Sequence, residues 1–336
     1  MEPPQITPDR LATVAALHGL RAPDPRTSRV LELGCGTGAS LLALAVAAPG
    51  VRALGVDLDA QRLAEGDRAI AELELGNVEL RQGDAGAFTE GQLGEFDYVI
   101  AHGRPVLAAC HSHLAADGLA SVTWSGEAIE PLAYVGDGDF GDLLPGPLAA
   151  GPREIVLCRD SRTAAAEPDP EAVRGLQFSA SGDGPTAGGD ALLASAIALL
   201  RSRAPDTVGF GELRAALGAE PHALGEALLG GFRAQLVMPH SGPLRAVAAA
   251  DVQRPTASPL ARRQAQHEPE VTNLACTSVR MAEPAARLLL TLLDGTRDRA
   301  AIRAAFRART GVRLSPEDLD ANLERLGRLF LLCEPV

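Results

Sequence analysis

The chain has 336 residues, 46% of them hydrophobic and 22% charged, with a net charge of −12. That length holds about two globular domains, with enough apolar mass for a core. No apolar run approaches the roughly 20 residues of a membrane span, so no membrane role is expected. The charge is uneven: residues 1–189 carry 13 Arg against 27 acidic residues, and residues 190–336 carry 18 Arg against 16. The acidic front half argues against a nucleic-acid substrate, because phosphate binding needs clustered positive charge. It would instead attract a basic substrate. All 31 basic residues are Arg, so the chain offers no side-chain lysine for self-modification.

The opening Met1-Glu-Pro-Pro-Gln5 has no basic stretch followed by an apolar one, so no secretory signal is expected. Residues 9–20 carry Leu11, Val14 and Leu17 at helical spacing, with Thr7 or Asp9 as cap and Gly19 as terminator. Residues 29–33 form an apolar strand that breaks into a turn with Gly34, Gly36 and Gly38 and continues as a helix to Ala48. Strand, glycine turn, helix is the opening of a nucleotide-binding α/β domain. Two cofactor classes fit it. Gly34-x-Gly36-x-x-Ala39 satisfies the loose dinucleotide pattern. Glu32-x-Gly34-x-Gly36-x-Gly38 resembles the first motif of class I S-adenosylmethionine-dependent methyltransferases. A carboxylate at that strand end suits a sulfonium and an amino group, whereas it would repel a pyrophosphate.

The second strand, residues 51–57, ends on Asp57. It lies roughly 20 residues after the turn, where an acid reaches a ribose diol. Asp59 is placed to cap the next helix, about residues 60–75, and Asn77–Gln82 reads as the third strand, running out at Gly83-Asp84-Ala85. Phe96–His102 is the fourth strand, and His102 at its exit is a candidate for substrate contact or as a general base. Cys110, His111 and His113 do not converge on one helical face, so no metal site is expected. Asp117-Gly118 reads as a turn before a fifth strand, residues 119–124, and Arg153–Cys158 as a later one. The Gly/Pro/Asp-rich residues 136–147 read as a lid or a surface loop, and residues 161–189 as a linker with a short strand near Leu176–Phe178. Beyond it three helices (191–203, 210–217, 222–233) and a ribbon of residues 236–240 with 244–248 suggest a winged-helix-like unit. A second helical set follows, ending in a helix with the capping box Ser315–Asp318. Leu224, Leu228 and Phe232 recur every four residues, a spacing that suits burial. This near-neutral half points to protein contact or a homodimer rather than DNA. Five cysteines without paired spacing read as reduced thiols, as in a cytoplasm.

Taken together the chain resembles bacterial protein-lysine methyltransferases, in which a class I catalytic domain carries a methyltransferase regulatory domain and a distinctive C-terminal domain. The residues that carry the resemblance are Pro4–Leu11, Leu31–Gly36, Gly55-Val-Asp57 and Phe96–Gly103 at the front. At the back they are Arg254–Arg262, Val271–Leu274, Ser278–Arg280 and Leu292–Arg299. The resemblance implies a Rossmann-like, mostly parallel sheet of about seven strands over residues 1–160. A linker, residues 161–189, and a winged-helix-like C-terminal domain, residues 190–336, would follow. It implies S-adenosylmethionine as cofactor, with Asp57 on the ribose, Asp84 and Ala85 at the adenine, and Glu32 with Gly34, Gly36 and Gly38 at the methionine end. It also implies transfer of a methyl group to a protein or peptide nucleophile, an amine such as lysine. The sequence departs from the family after Gly103 and after Trp124, and has only 3% aromatic residues. Two other readings therefore stay open: a cyclisation of the same cofactor that releases methylthioadenosine, and a non-catalytic cofactor-binding scaffold.

Overall fold

The computed structural model describes residues 7–84, 87–88, 92–102, 107–124, 140–142, 153–159, 168–181, 190–247 and 252–333. Helix α1 (Pro8–Leu17) is capped by Thr7, whose side chain accepts from the Arg10 N–H, and the chain turns away at Gly19 with φ +75°. The elements that follow are β1 (Arg29–Leu33), α2 (Ala39–Ala47), β2 (Arg52–Asp57), α3 (Ala60–Glu72) and β3 (Val78–Gln82). Next come β4 (Phe96–His102), α4 (Leu107–His113), β5 (Leu114–Trp124), β6 (Phe140–Asp142) and β7 (Arg153–Arg159). They build one sheet in the order β3-β2-β1-β4-β5-β7-β6. The first five strands pair in parallel, while β7 runs antiparallel to β5 and β6 to β7. Of the seven strands expected as a mostly parallel sheet, five are thus the parallel part. Strand order reverses at β1, which pairs with β2 on one side and β4 on the other. In such sheets the crevice at the carboxyl ends of these strands is where ligands bind.

The sheet carries its core on β1 and its neighbours: Leu31, Leu33, Val56, Val99, Ala101 and Val122 are buried in one apolar cluster. Asp59 caps α3, accepting from the Gln61 and Arg62 N–H groups, as its position predicted. The turn expected at Asp117-Gly118 is instead an irregularity within β5: Phe96 lies opposite Leu114, but Tyr98 lies opposite Leu119. Gly118 permits it, because a Cβ there would sit 2.9 Å from the Asp97 carbonyl oxygen.

A second assembly contains β8 (Gln177–Ala180), α5 (Ala191–Arg203), β9 (Val208–Gly209), α6 (Phe210–Leu217), α7 (Pro221–Arg233) and β10 (Val237–His240). Here the expected ribbon is corrected. Residues 244–247 form no strand, and β10 pairs antiparallel with β8, drawn from the stretch read as a linker. The sheet order β10-β8-β9 leaves β10 on an edge, where Pro239 costs no central hydrogen bond. Phe178 on β8 supplies the reason for the pairing. It is buried with Ile197, Leu200, Leu213, Leu224 and Leu228, and Leu17 of α1 joins the same core. Phe232 packs against it half-buried, so the four-residue spacing on α7 marks a buried face.

The last assembly contains α8 (Pro259–Gln264), β11 (Glu270–Thr272), β12 (Ser278–Arg280), α9 (Pro284–Leu292), α10 (Arg299–Thr310) and α11 (Pro316–Arg328). Residues 254–258 form an extended crosspiece: Ala257 N–H donates to Leu293 O, Ser258 N–H to Leu331 O, and Cys333 N–H to Thr256 O. Asn273 is buried and saturates the turn between β11 and β12. Its Oδ1 accepts from the Ala275 and Thr277 N–H groups and the Thr277 hydroxyl, and its Nδ2 donates to Leu329 O. The Ser315–Asp318 capping box opens α11. The chain groups into two compact units, residues 1–41 with 48–243, and residues 42–47 with 244–336. The sequence had placed the division near residue 190. The difference follows from β8, which ties the 191–240 elements to chain that precedes them. No helix among the described residues is long and apolar enough to cross a membrane.

One polar cluster joins α1 to β10 and β8. Ser241 Oγ donates to Asp9 Oδ1 at 2.5 Å, Ser179 Oγ lies 2.9 Å from His240 Nε2, and His240 Nδ1 lies 4.0 Å from Asp9 Oδ2. Burial lowers the His240 pKa below its ordinary 6.5, against the pull of Asp9. The unfolded chain therefore takes up this proton first, and stability falls as pH drops through that value. The denaturation midpoint in urea is expected to decrease between about pH 7.5 and about pH 5. His240→Gln is expected to flatten that slope.

Candidate active site

The carboxyl ends of β1, β2 and β3 meet at the glycine turn. Gly34, Gly36 and Gly38 have φ of +80°, +60° and +70°, angles that side chains with a Cβ rarely adopt. The Gly34 and Cys35 N–H groups both donate to Val56 O, at 2.8 and 3.1 Å, which fastens the turn to β2. The Asp57 carboxylate then closes onto the turn. Its Oδ2 accepts from the Gly36 N–H at 2.8 Å and its Oδ1 from the Asp59 N–H at 2.9 Å. The Asp57 carbonyl accepts from the Gly83 N–H at 3.0 Å, and Gln82 Nε2 donates to Leu58 O at 3.3 Å. The exits of β2 and β3 are thus held side by side, with Asp84 exposed directly after them.

Glu32 sits beneath the turn rather than at its surface. It is 4% exposed, and Ser40 Oγ in the first turn of α2 lies 2.8 and 2.7 Å from its two oxygens. A carboxylate at the N-terminus of a helix is further stabilised by the helix dipole. Cys35 lies between these acids, and burial followed by the charges of Glu32 and Asp57 pushes its thiol up to about 12. It stays a neutral thiol at ordinary pH and is not a nucleophile.

Three glycines outside or at the end of the motif shape the same place. A Cβ on Gly38, Gly55 or Gly66 would come within 2.8, 2.7 and 2.3 Å of Leu80 side-chain carbons. On Gly66 it would also lie 2.4 Å from Thr37 O, so α3 packs directly on the turn. The sequence reading missed Gly55 and Gly66. Their signal was present, since a glycine inside a strand or helix marks a close backbone approach. It also missed Leu58, which is 67% exposed beside Asp57, and Arg62, whose Nη1 lies 3.5 Å from a Cβ built on Gly36.

The remaining predicted positions are placed as follows. His102 ends β4 with its backbone opposite Thr123, at the same edge of the sheet as Asp57, and its side chain lies outside the described residues. Ala85, Gly103 and most of residues 136–147 also lie outside them. Cys110 is buried, and burial holds its thiol up at about 12. His113 is buried, with Nδ1 3.1 Å from Gly94 O, and is a packed residue of the α4 end. Among the described residues no cluster of three or more His, Cys, Asp or Glu is arranged to hold a metal.

Strand order, glycine turn and the acid closing β2 onto it give the class I methyltransferase fold. Residues 30–122 match the family model described as "Methyltransferase domain", and residues 253–314 match "PKMT, C-terminal winged helix domain". The whole chain has the fold of PKMT2 from Rickettsia typhi, solved in complex with AdoHcy: 96% of this chain superposes on 97% of that one, with a TM-score of 0.73 and 16% identity. A second structure of PKMT2 from Rickettsia typhi gives a TM-score of 0.74 at 17% identity, over 98% and 99% of the two chains. Two uncharacterized proteins of Rickettsia prowazekii are 30% identical over 128 residues and 35% identical over 96 residues. Those matches take in 35% and 29% of this chain, but only 23% and 38% of the length of those relatives.

The packing around Leu80 reverses an ordinary expectation. In a helix interior Gly→Ala normally stabilises by up to about 1 kcal/mol. Gly66→Ala is expected to destabilise by about 2 kcal/mol, because backbone at Thr37 has to move. Gly211→Ala in α6, with open space around it, is the control and is expected to be neutral or stabilising. Denaturant melts of the two variants give the comparison.

Proposed function

We propose that this chain is an S-adenosylmethionine-dependent methyltransferase that modifies an amine on a protein or peptide, lysine being the acceptor that the family likeness favours. The observation that carries the cofactor is the Asp57 carboxylate on the Gly36 N–H. In a dinucleotide site that N–H faces the pyrophosphate. Here a carboxylate already occupies it, and a second anion at the same place would be repelled. A ribose diol can instead donate to the outer lone pairs of Asp57. In this reading Asp84, with Ala85 next to it in sequence, takes the adenine edge, and Gly34, Gly36 and Gly38 take the methionine end. Glu32 acts from beneath, through Ser40 and the turn. Leu58 is an apolar surface next to the ribose position.

Methyl transfer then forms one carbon–nitrogen bond and breaks one carbon–sulfur bond. The acceptor amine must be neutral to attack, its proton having left, and the sulfonium departs as a thioether. Such a reaction gains most from alignment of the two partners. His102 at the exit of β4 is our candidate for the group that contacts the acceptor. The acidic front half favours a basic acceptor segment. The match to a PKMT winged helix domain favours a protein as that acceptor, with the C-terminal half presenting it or pairing in a homodimer. Five cysteines in thiol form fit a reducing cytoplasm.

Isothermal titration separates the cofactor classes. S-adenosylhomocysteine is expected to bind, and Asp57→Ala to weaken it by about 1.5–3 kcal/mol, the scale for hydrogen bonds to a charged group. Tight NAD binding with no S-adenosylhomocysteine binding would overturn the reading. For the reaction, methyl-labelled cofactor is incubated with cell lysate and lysine-containing peptides. Label on protein with S-adenosylhomocysteine as the product is expected. Methylthioadenosine as the product would mean cyclisation, and binding without turnover a scaffold.

A further inference from the structure

The first strands also build a cleft at their opposite ends. It has a volume of about 460 Å³ and is lined by Arg29, Arg52, Arg81 and Glu79, with the largely buried Leu54, Leu93 and Phe96 forming an apolar floor. Arg29 opens β1 and Arg52 opens β2, and the two are register partners across the parallel pair. Arg29 and Gly34, at the two ends of β1, are about 16 Å apart along the strand.

The arrangement is electrostatically unusual for its setting. Like charges directly opposite on neighbouring strands are destabilising unless something lies between them. Arg81 is matched by Glu79 at 2.9 Å. Among the described residues neither the Arg29 nor the Arg52 guanidinium has such a partner. The Arg29 guanidinium lies 4.9 Å over the Phe96 ring, which orients it without cancelling its charge. Its backbone N–H donates to Asp97 Oδ2 at 2.6 Å, which fixes the start of the strand. Two uncompensated guanidinium groups thus share a cleft in a half of the chain that carries a net charge of −14.

We infer that Arg29 and Arg52 form an anion site, and that its ligand is a phosphate-bearing small molecule of nucleotide size. Guanidinium forks match phosphate oxygens in pairs. The apolar floor gives the rest of such a ligand something to cover, and the volume lies within the range of small-molecule sites. This site is separate from the turn at the other end of the strands and does not depend on what that turn binds.

Calorimetry of the full chain with ATP and with pyrophosphate tests the inference. Both titrations are run with saturating S-adenosylhomocysteine, so that adenosine does not report on the glycine turn. The expected result is one-to-one saturable binding of both probes, with ATP about threefold the tighter because its adenosine covers the apolar floor. Arg52→Gln is expected to weaken ATP by about tenfold, and Arg52→Lys by less, since it keeps the charge and loses the fork. Affinity is expected to fall as salt is raised from about 50 to about 300 mM. Unchanged circular dichroism and an unchanged denaturant midpoint show that the variants are folded. Failure of either probe to saturate by about 5 mM, about 3 kcal/mol of binding, would overturn the proposal. So would equal ATP affinity in folded Arg52→Gln, or displacement of ATP by S-adenosylhomocysteine.

Discussion

The hydrogen bond from the Gly36 N–H to the Asp57 carboxylate is the constraint on which the front of this molecule depends. It joins the loop after β1 to the end of β2, so the two halves of the proposed cofactor site are set before any cofactor arrives. A surface carboxylate would lose little by turning to water. This one is held at both oxygens by backbone donors, and charge-assisted bonds of that kind are about twice as strong as neutral ones. Preorganisation follows directly. The ligand need not order the loop, so less of its binding energy is lost to that step.

The bond needs the turn to lie flat against β2 and α3, and glycines make that possible. Gly38, Gly55 and Gly66 come from three elements and all face Leu80. Each removes a Cβ where Leu80 or the Thr37 carbonyl stands. A methyl group at Gly66 would press on the turn backbone at Thr37, whereas at Gly38 or Gly55 it would displace the Leu80 side chain. Packing and chemistry are therefore one problem at this site: the apolar side chain of Leu80 sets the height at which a polar turn sits.

Much of this was legible in the sequence where the signal was local. The three glycines of the turn, the acid ending β2, the Asp59 cap and the Ser315 capping box each depend on residues within a few positions of one another, and each is found as read. Ser40 under Glu32 was within reach of the same reasoning, eight residues on. What escaped was pairing at long range. The antiparallel partner of β10 is β8, some 60 residues earlier, and nothing in Gln177-Phe-Ser-Ala180 announces which strand it will join. A hairpin with residues 244–248 was the shorter connection, and the burial of Phe178 with α5 and α7 outweighed it. Five parallel strands followed by two antiparallel ones, likewise, could be read as a total but not as an arrangement.

Composition also bears on the acceptor. A chain that brings an electrophilic methyl group to its surface exposes its own nucleophiles first, because groups on the same molecule act at a high effective concentration. Here the thiols at Cys35 and Cys110 are held at about 12, both by burial and Cys35 also by the charges of Glu32 and Asp57, so they stay protonated and unreactive. Arg is fully protonated and a poor nucleophile, and no side-chain amine exists anywhere in the 336 residues. The reaction proposed for this site therefore meets almost no competitor on its own chain. A lysine acceptor has to come from another molecule, and in the proposed reading the acidic front half favours such a cationic segment. In the proposed reading, the carboxylates that disfavour a pyrophosphate at the turn also favour a lysine-bearing substrate.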